Sequence, residues 1–129
     1  MNCASVTHIG YVREENQDCV ETRTFSDGVL ALVCDGMGGE RAGKEASTQA
    51  TQIFLECMEE RCQKSMPTYE IRNTMMAAVS AANTVIYTAA KLNYKNFGMG
   101  TTCVAAFWNQ EGVTVVNVGD SRAYYYADG

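Results

Sequence analysis

The sequence predicts an α+β fold: antiparallel strands paired in a sheet, with helices over one face. Three observations predict it. Short strand-like runs are joined in pairs by tight loops at both ends of the chain, over 18–34 and 101–118. Two long helical patterns lie together between those pairs. The order is strand, strand, strand, helix, helix, then strands, without the regular alternation of a doubly wound fold. A chain of 129 residues suits one domain with a modest core.

Residues 4–10, with Val6 and Ile9, are expected to form a first strand, broken at Gly10. Arg13 to Asp18 is polar and reads as a loop. Residues 18–24 alternate, with Val20, Thr22 and Thr24 on one face, and read as a second strand. Phe25-Ser26-Asp27-Gly28 is a four-residue hairpin loop. Residues 29–34 are apolar throughout, so this third strand should be covered on both faces. Gly36 to Gly43 is a glycine-rich loop. From about Gly43 to Lys64, Ala46, Ala50, Ile53, Phe54, Cys57 and Met58 recur at steps of three and four, the spacing of a helix with one apolar face. Pro67 stops it. Thr68 and Glu70 then open a second helix whose stripe is Ile71, Met75, Val79, Ala82 and Ile86. That stripe reads as a core face, because amphipathic helices pack inward. Asn93 to Gly100 is a loop, 101–108 a strand, Asn109-Gln110-Glu111-Gly112 a turn, and Val113–Val118 another strand. Gly119-Asp120-Ser121-Arg122 interrupts, and Ala123–Tyr126 resumes extended structure. Asp128-Gly129 is a hairpin signal with no strand after it, as if the chain stopped within a motif.

Composition narrows the function classes. The net charge of −5 argues against nucleic acid or an anionic membrane as partner. There is no signal-peptide pattern, and no apolar run near the roughly 20 residues of a spanning helix. Of the six cysteines, none falls in a C-x-x-C pair, so zinc and thioredoxin-type sites are not expected. Cys34 and Cys103 sit in apolar strands as small hydrophobes. Reduced thiols in a cytoplasmic protein are the expectation.

The chemistry concentrates in two carboxylates. If Thr24 pairs with Val29 across the hairpin loop, Asp18 falls directly opposite Asp35. Opposed side chains start about 4.5–5.5 Å apart, and like charges there destabilise a hairpin unless a cation lies between them. A divalent ion with oxygen ligands suits that place, and it would lower the pKa of a bound water. Solvated turn carboxylates are the competing reading. Gly36 would let a backbone carbonyl approach the ion. Arg13 could clamp a phosphate through parallel hydrogen bonds. Asp120 follows an apolar strand, as Asp35 does, and the register through 109–112 sets it opposite Thr101; it either extends the acidic site or caps a turn.

Gly38 to Lys44 also fits G-x-x-x-x-G-K between a strand and a helix. Glu45 stands where a P-loop needs Ser or Thr, and no βαβ unit follows, so nucleotide binding is a minor alternative. His8, the only histidine, has no nucleophile elbow to serve and reads as structural or surface.

Three blocks, in order, carry a resemblance: Gly10-Tyr11-Val12-Arg13-Glu14-Glu15-Asn16-Gln17-Asp18; Val33-Cys34-Asp35-Gly36-Met37-Gly38-Gly39 with Ala42-Gly43; and Gly98-Met99-Gly100-Thr101-Thr102 with Val118-Gly119-Asp120-Ser121-Arg122-Ala123-Tyr124. The chain resembles the metal-dependent protein serine/threonine phosphatases of the PP2C (PPM) type, in their bacterial form. The resemblance implies a hydrolase with a β-sandwich flanked by helices and two Mn²⁺ or Mg²⁺ ions at one edge. It implies that Asp35 bridges the metals, Gly36 offers its carbonyl, Asp18 holds water in the metal site, and Arg13 binds phosphate. Asp120 matches an acid tied to a third, weaker ion in some members. Water activated by the metals would attack the phosphorus of phosphoserine or phosphothreonine, with no phosphoenzyme. The partners would be phosphoproteins made by a cognate Ser/Thr kinase. Met37 replaces a histidine of some eukaryotic members, as in bacterial relatives.

The family domain is roughly twice as long. Residues 1–129 are therefore expected to be a truncated, N-terminal portion of one phosphatase domain, inactive or weakly active alone. Uncovered sheet faces would favour self-association. The rival class is a non-catalytic phosphatase-like module that binds phosphoproteins.

Overall fold

The computed structural model describes residues 2–39 and 41–128. Five strands, β1 (Asp18–Thr24), β2 (Val29–Met37), β3 (Gly100–Thr101), β4 (Cys103–Asn109) and β5 (Gly112–Val118), form one antiparallel sheet. Its order is β1-β2-β4-β5, and β3 pairs with the end of β2. Two helices, α1 (Ala42–Arg61) and α2 (Thr68–Leu92), make the second layer.

The first hairpin has the predicted register. Thr24 pairs with Val29, and each step back alternates faces until Asp18 meets Asp35. Phe25 and Gly28 close the loop, with the Phe25 N–H donating to the Gly28 carbonyl at 2.8 Å. β2 runs past Cys34 to Met37 because β3 extends its ladder, Gly36 against Thr101 and Met37 against Gly100.

Period-two alternation gives the sheet one covered face. Leu30, Leu32 and Cys34 of β2 point to the helices, as do Ala105 and Phe107 of β4. They meet the stripe Ala46, Ala50, Phe54 and Met58 of α1, while Ile71, Met75 and Ala78 of α2 complete the core. Arg23 of β1 forms an ion pair with Glu59 of α1 at the layer's rim. The cysteines are unpaired, with Cys34 and Cys103 buried as expected. No helix among the described residues is long and apolar enough to cross a membrane.

Several expectations are corrected. Residues 4–10 form no strand: extended chain becomes a strand only with a partner, and this segment finds none among the described residues. Ala123–Tyr126 stays unpaired for the same reason, with its tyrosines exposed. The predicted strand 101–108 divides at Thr102, whose hydroxyl turns to β2. The loop 93–100 contains a single 3₁₀ turn, Tyr94–Asn96. β2 is covered on one face only. Its other face, with Val33, continues into Trp108, Val113 and Val115, which are all 38–52% exposed. The hairpin signal at Asp128-Gly129 lies partly outside the described residues, since Gly129 is not among them.

Candidate active site

Three segments converge where β1 begins and β2 ends. The loop before β1 is tied down by its own amides. Asn16 accepts from the Asp18 N–H at 3.0 Å through Oδ1 and donates to Thr7 Oγ1 at 2.8 Å. Gln17 donates from Nε2 to the Gly38 carbonyl, 3.1 Å away. The Gln17 carbonyl in turn accepts from the Gly36 N–H (3.0 Å) and the Ser47 hydroxyl (2.6 Å). The start of α1 is thereby locked beneath both acids.

Gly36 is glycine for a reason the sequence reading did not supply. A Cβ there would lie 1.9 Å from the Gly43 carbonyl oxygen and 2.8 Å from that of Gln17. A Cβ on Gly43 would meet the Gln17 side chain at 2.6 Å. The glycine cluster allows strand, loop and helix backbones to touch. Lys44 donates from Nζ to the Asp18 carbonyl at 2.9 Å, so it braces β1 and does not reach into a phosphate cradle. This removes the physical basis of the P-loop alternative; Glu40, within that motif, lies outside the described residues.

Asp35 is held from the other side by Thr102. The Asp35 N–H donates to Thr102 Oγ1 (3.0 Å), and the Thr102 N–H donates to the Asp35 carbonyl (2.9 Å). The same hydroxyl contacts Ser121 Oγ at 2.5 Å. These bonds fix the Asp35 backbone opposite Asp18.

A pocket of about 250 Å³ opens over the pair, lined by Arg13, Asp18, Asp35 and Gly36 together with His8, Glu15, Asn16 and Gln17. Four of the five candidate residues are thus gathered. Asp120 is not in the lining. β5 ends at Val118 and Gly119 turns the chain at φ +98°, so the ladder stops before the expected facing of Asp120 and Thr101. Asp120 nonetheless stands close enough for its charge to act on Asp35.

The Asp35 carboxyl is held above the usual carboxylate range. Partial desolvation is the largest cause, followed by a hydrogen bond to Asp18 and the negative charges of Asp18 and Asp120; the Arg13 guanidinium offsets part of it. Negative charge is therefore concentrated here beyond what protein cations neutralise. Hard oxygen donors under such repulsion suit a divalent cation. Among the described residues no three His, Cys, Asp or Glu side chains cluster as a metal cage. Two carboxylates and a main-chain carbonyl fit one side of a Mn²⁺ or Mg²⁺ site, and six-fold coordination needs more oxygens.

The sequence reading missed Asn16, Gln17, Ser47 and Thr102, which position the acids, and left His8 outside the site. Their roles come from contacts between distant segments. Only the polar run 13–18 hinted at them.

Comparison with known proteins identifies the family and the fold. A sequence profile described as Protein phosphatase 2C matches residues 8–129. The serine/threonine phosphatase stp of Listeria monocytogenes is 34% identical over 119 residues, covering 92% of this chain and 47% of that protein. The serine/threonine phosphatase of S. agalactiae superposes with a TM-score of 0.79 at 30% identity, over 91% of this chain and 48% of that one. The catalytic domain of the phosphatase PstP, in complex with two manganese ions, superposes with a TM-score of 0.71 at 30% identity, over 89% of this chain and 46% of that one. The chain spans about half the length of these relatives. By the profile match over residues 8–129 and the superposition of its sheet-and-helix layers, the chain belongs to the protein phosphatase 2C family.

Proposed function

We propose that this chain contributes the phosphate-binding and metal-binding edge of a phosphoprotein phosphatase that hydrolyses phosphoserine and phosphothreonine. The observation that carries the reading is the facing of Asp18 and Asp35 within one pocket that also contains Arg13. The serine/threonine phosphatase activity for which the relatives are named and the manganese in PstP point the same way.

In this reading Asp35 and the Gly36 carbonyl hold Mn²⁺ or Mg²⁺, Asp18 orients water at the same edge, and Asp120 serves a third, weaker ion. When bound, the ions supply Lewis acidity to a water nucleophile and neutralise phosphate charge. The chain's own residues do the rest. Arg13 binds two phosphoryl oxygens and sets the phosphorus for in-line attack. Asp18 accepts a hydrogen bond from the attacking water at its carboxylate oxygen. The ester P–O bond breaks as the new one forms, one proton of the attacking water passes through solvent to the departing seryl or threonyl oxygen, and no phosphoenzyme intervenes.

The donor count supports a further part of the reading: residues 1–129 act as one portion of a single phosphatase unit and are weakly active alone. The bare sheet face around Trp108 and Val115 supports self-association of the chain by itself. A cytoplasmic location, where kinase-made phosphoproteins and reduced thiols are found, belongs to the same reading. The test is manganese-dependent release of phosphate from a phosphopeptide by the full-length enzyme. Asp35→Ala should lose at least about a hundredfold in kcat; unchanged activity would defeat the assignment.

A further inference from the structure

The pocket over the acid pair must bind a phosphate dianion although Glu15, Asp18 and Asp35 all line it. Hydrogen-bond donors are therefore decisive. The lining has four donor-bearing side chains: His8, Arg13, Asn16 and Gln17. Asn16 donates to Thr7 and Gln17 to Gly38, so both amides are committed to holding the loop. Arg13 and His8 make no side-chain donor bond among the described residues.

His8 is poised in one particular tautomer. The Gly10 N–H donates to its Nδ1 at 2.8 Å. A nitrogen that accepts carries no proton, so the proton of the neutral ring sits on Nε2. The bond closes a short turn in which Gly10 itself has φ +81°. The Tyr11 ring lies 6.4 Å from the imidazole, centroid to centroid, and flanks it. The ring is exposed and holds no part of the core.

We propose that His8 is a second phosphate-binding residue: its Nε2–H donates to a non-bridging oxygen of the phosphoryl group that Arg13 binds. The assignment rests on the phosphatase reading of the pocket and adds a named donor to it. His8 thereby fixes the rotation of the phosphoryl group, which a guanidinium bound along one edge leaves open. The role needs only the neutral ring.

Because His8 is the only histidine, its ring nitrogens give unambiguous NMR signals in the whole chain. Inorganic phosphate is titrated into the chain with Mg²⁺ at about pH 8, where an ordinary imidazole is neutral. The free ring should show a protonated Nε2 and a bare Nδ1. Phosphate should then shift Nε2 saturably, and Arg13→Ala should remove that shift. In binding, His8→Ala should weaken phosphate about tenfold with thermal stability unchanged, and His8→Gln, which keeps a donor, should recover most of it. A ring signal unmoved while Arg13-dependent binding saturates would overturn the role of His8 and leave the phosphatase reading standing. Phosphate binding that neither Arg13→Ala nor Asp35→Asn affects would overturn both. Equal loss in His8→Ala and His8→Gln, with a protonated Nδ1, would overturn the donor assignment alone.

Discussion

Replacing Asp35 by Asn should make the metal-free chain more stable at neutral pH. Asp18 and Asp35 are directly opposed, and like charges so placed cost a sheet roughly 0.2–1 kcal/mol. The pair is partly solvated, so the lower half of that range is the better expectation. For a domain of this size each kcal/mol moves Tm by roughly 3–5 °C, giving a rise of about 1–3 °C. The pH dependence has a definite sign. A carboxyl whose folded pKa is raised favours the protonated native state. Its contribution to stability is present below the ordinary carboxylate value and is lost as pH rises from there through the raised folded value. Wild type should therefore lose stability relative to Asp35→Asn across that window, and the gap should stay constant above it. Manganese should reverse the order. At tenfold excess over its Kd, a cation that binds only the folded chain adds about 1.4 kcal/mol, and a variant that binds it tenfold more weakly should gain no more than about 0.4 kcal/mol. Thermal unfolding followed by circular dichroism between about pH 3 and 8, with chelator or with MnCl₂, reads all three effects. An Asp35→Asn chain less stable than wild type in chelator would refute the reasoning, because the acid pair would then not be under repulsion.

Other predictions follow from neighbouring contacts. Gly36→Ala must displace the Gly43 backbone and should cost more than about 3 kcal/mol in urea unfolding; a cost under about 1 kcal/mol would show that α1 does not sit where described. Thr102→Val strands the Asp35 N–H and should cost about 1–3 kcal/mol, with the m-value unchanged. The isolated chain should self-associate through its bare sheet face, and Val115→Lys should render it monomeric in light scattering; a wild-type monomer at high concentration would contradict this.

The acid pair was legible in the sequence because a hairpin is a local object. The loop Phe25–Gly28 sets the register, and period two carries it without error to Asp18 and Asp35. The helices were legible from their stripes, and their ends moved by only a few residues. Asp120 was not legible, because its place depends on where β5 stops, at Val118, and on the turn at Gly119 that follows. The expected strands at 4–10 and 123–126 failed because pattern shows that a segment can extend, while pairing depends on what lies beside it. Gly36 was read as access for an ion, and the structure adds a packing reason: the Gly43 backbone occupies the space of its missing side chain. His8 looked isolated because its relation to Arg13 and Asp35 exists only after the loop 13–18 folds back on β2.

The central claim is that a divalent cation belongs between Asp18 and Asp35. Its most direct measurement is the electron paramagnetic resonance signal of free Mn²⁺ titrated with wild-type chain, Asp35→Asn and Asp18→Asn. The signal should fall as wild-type chain is added, and each variant should weaken binding at least about tenfold. Equal loss of signal with wild type and Asp35→Asn would contradict the account.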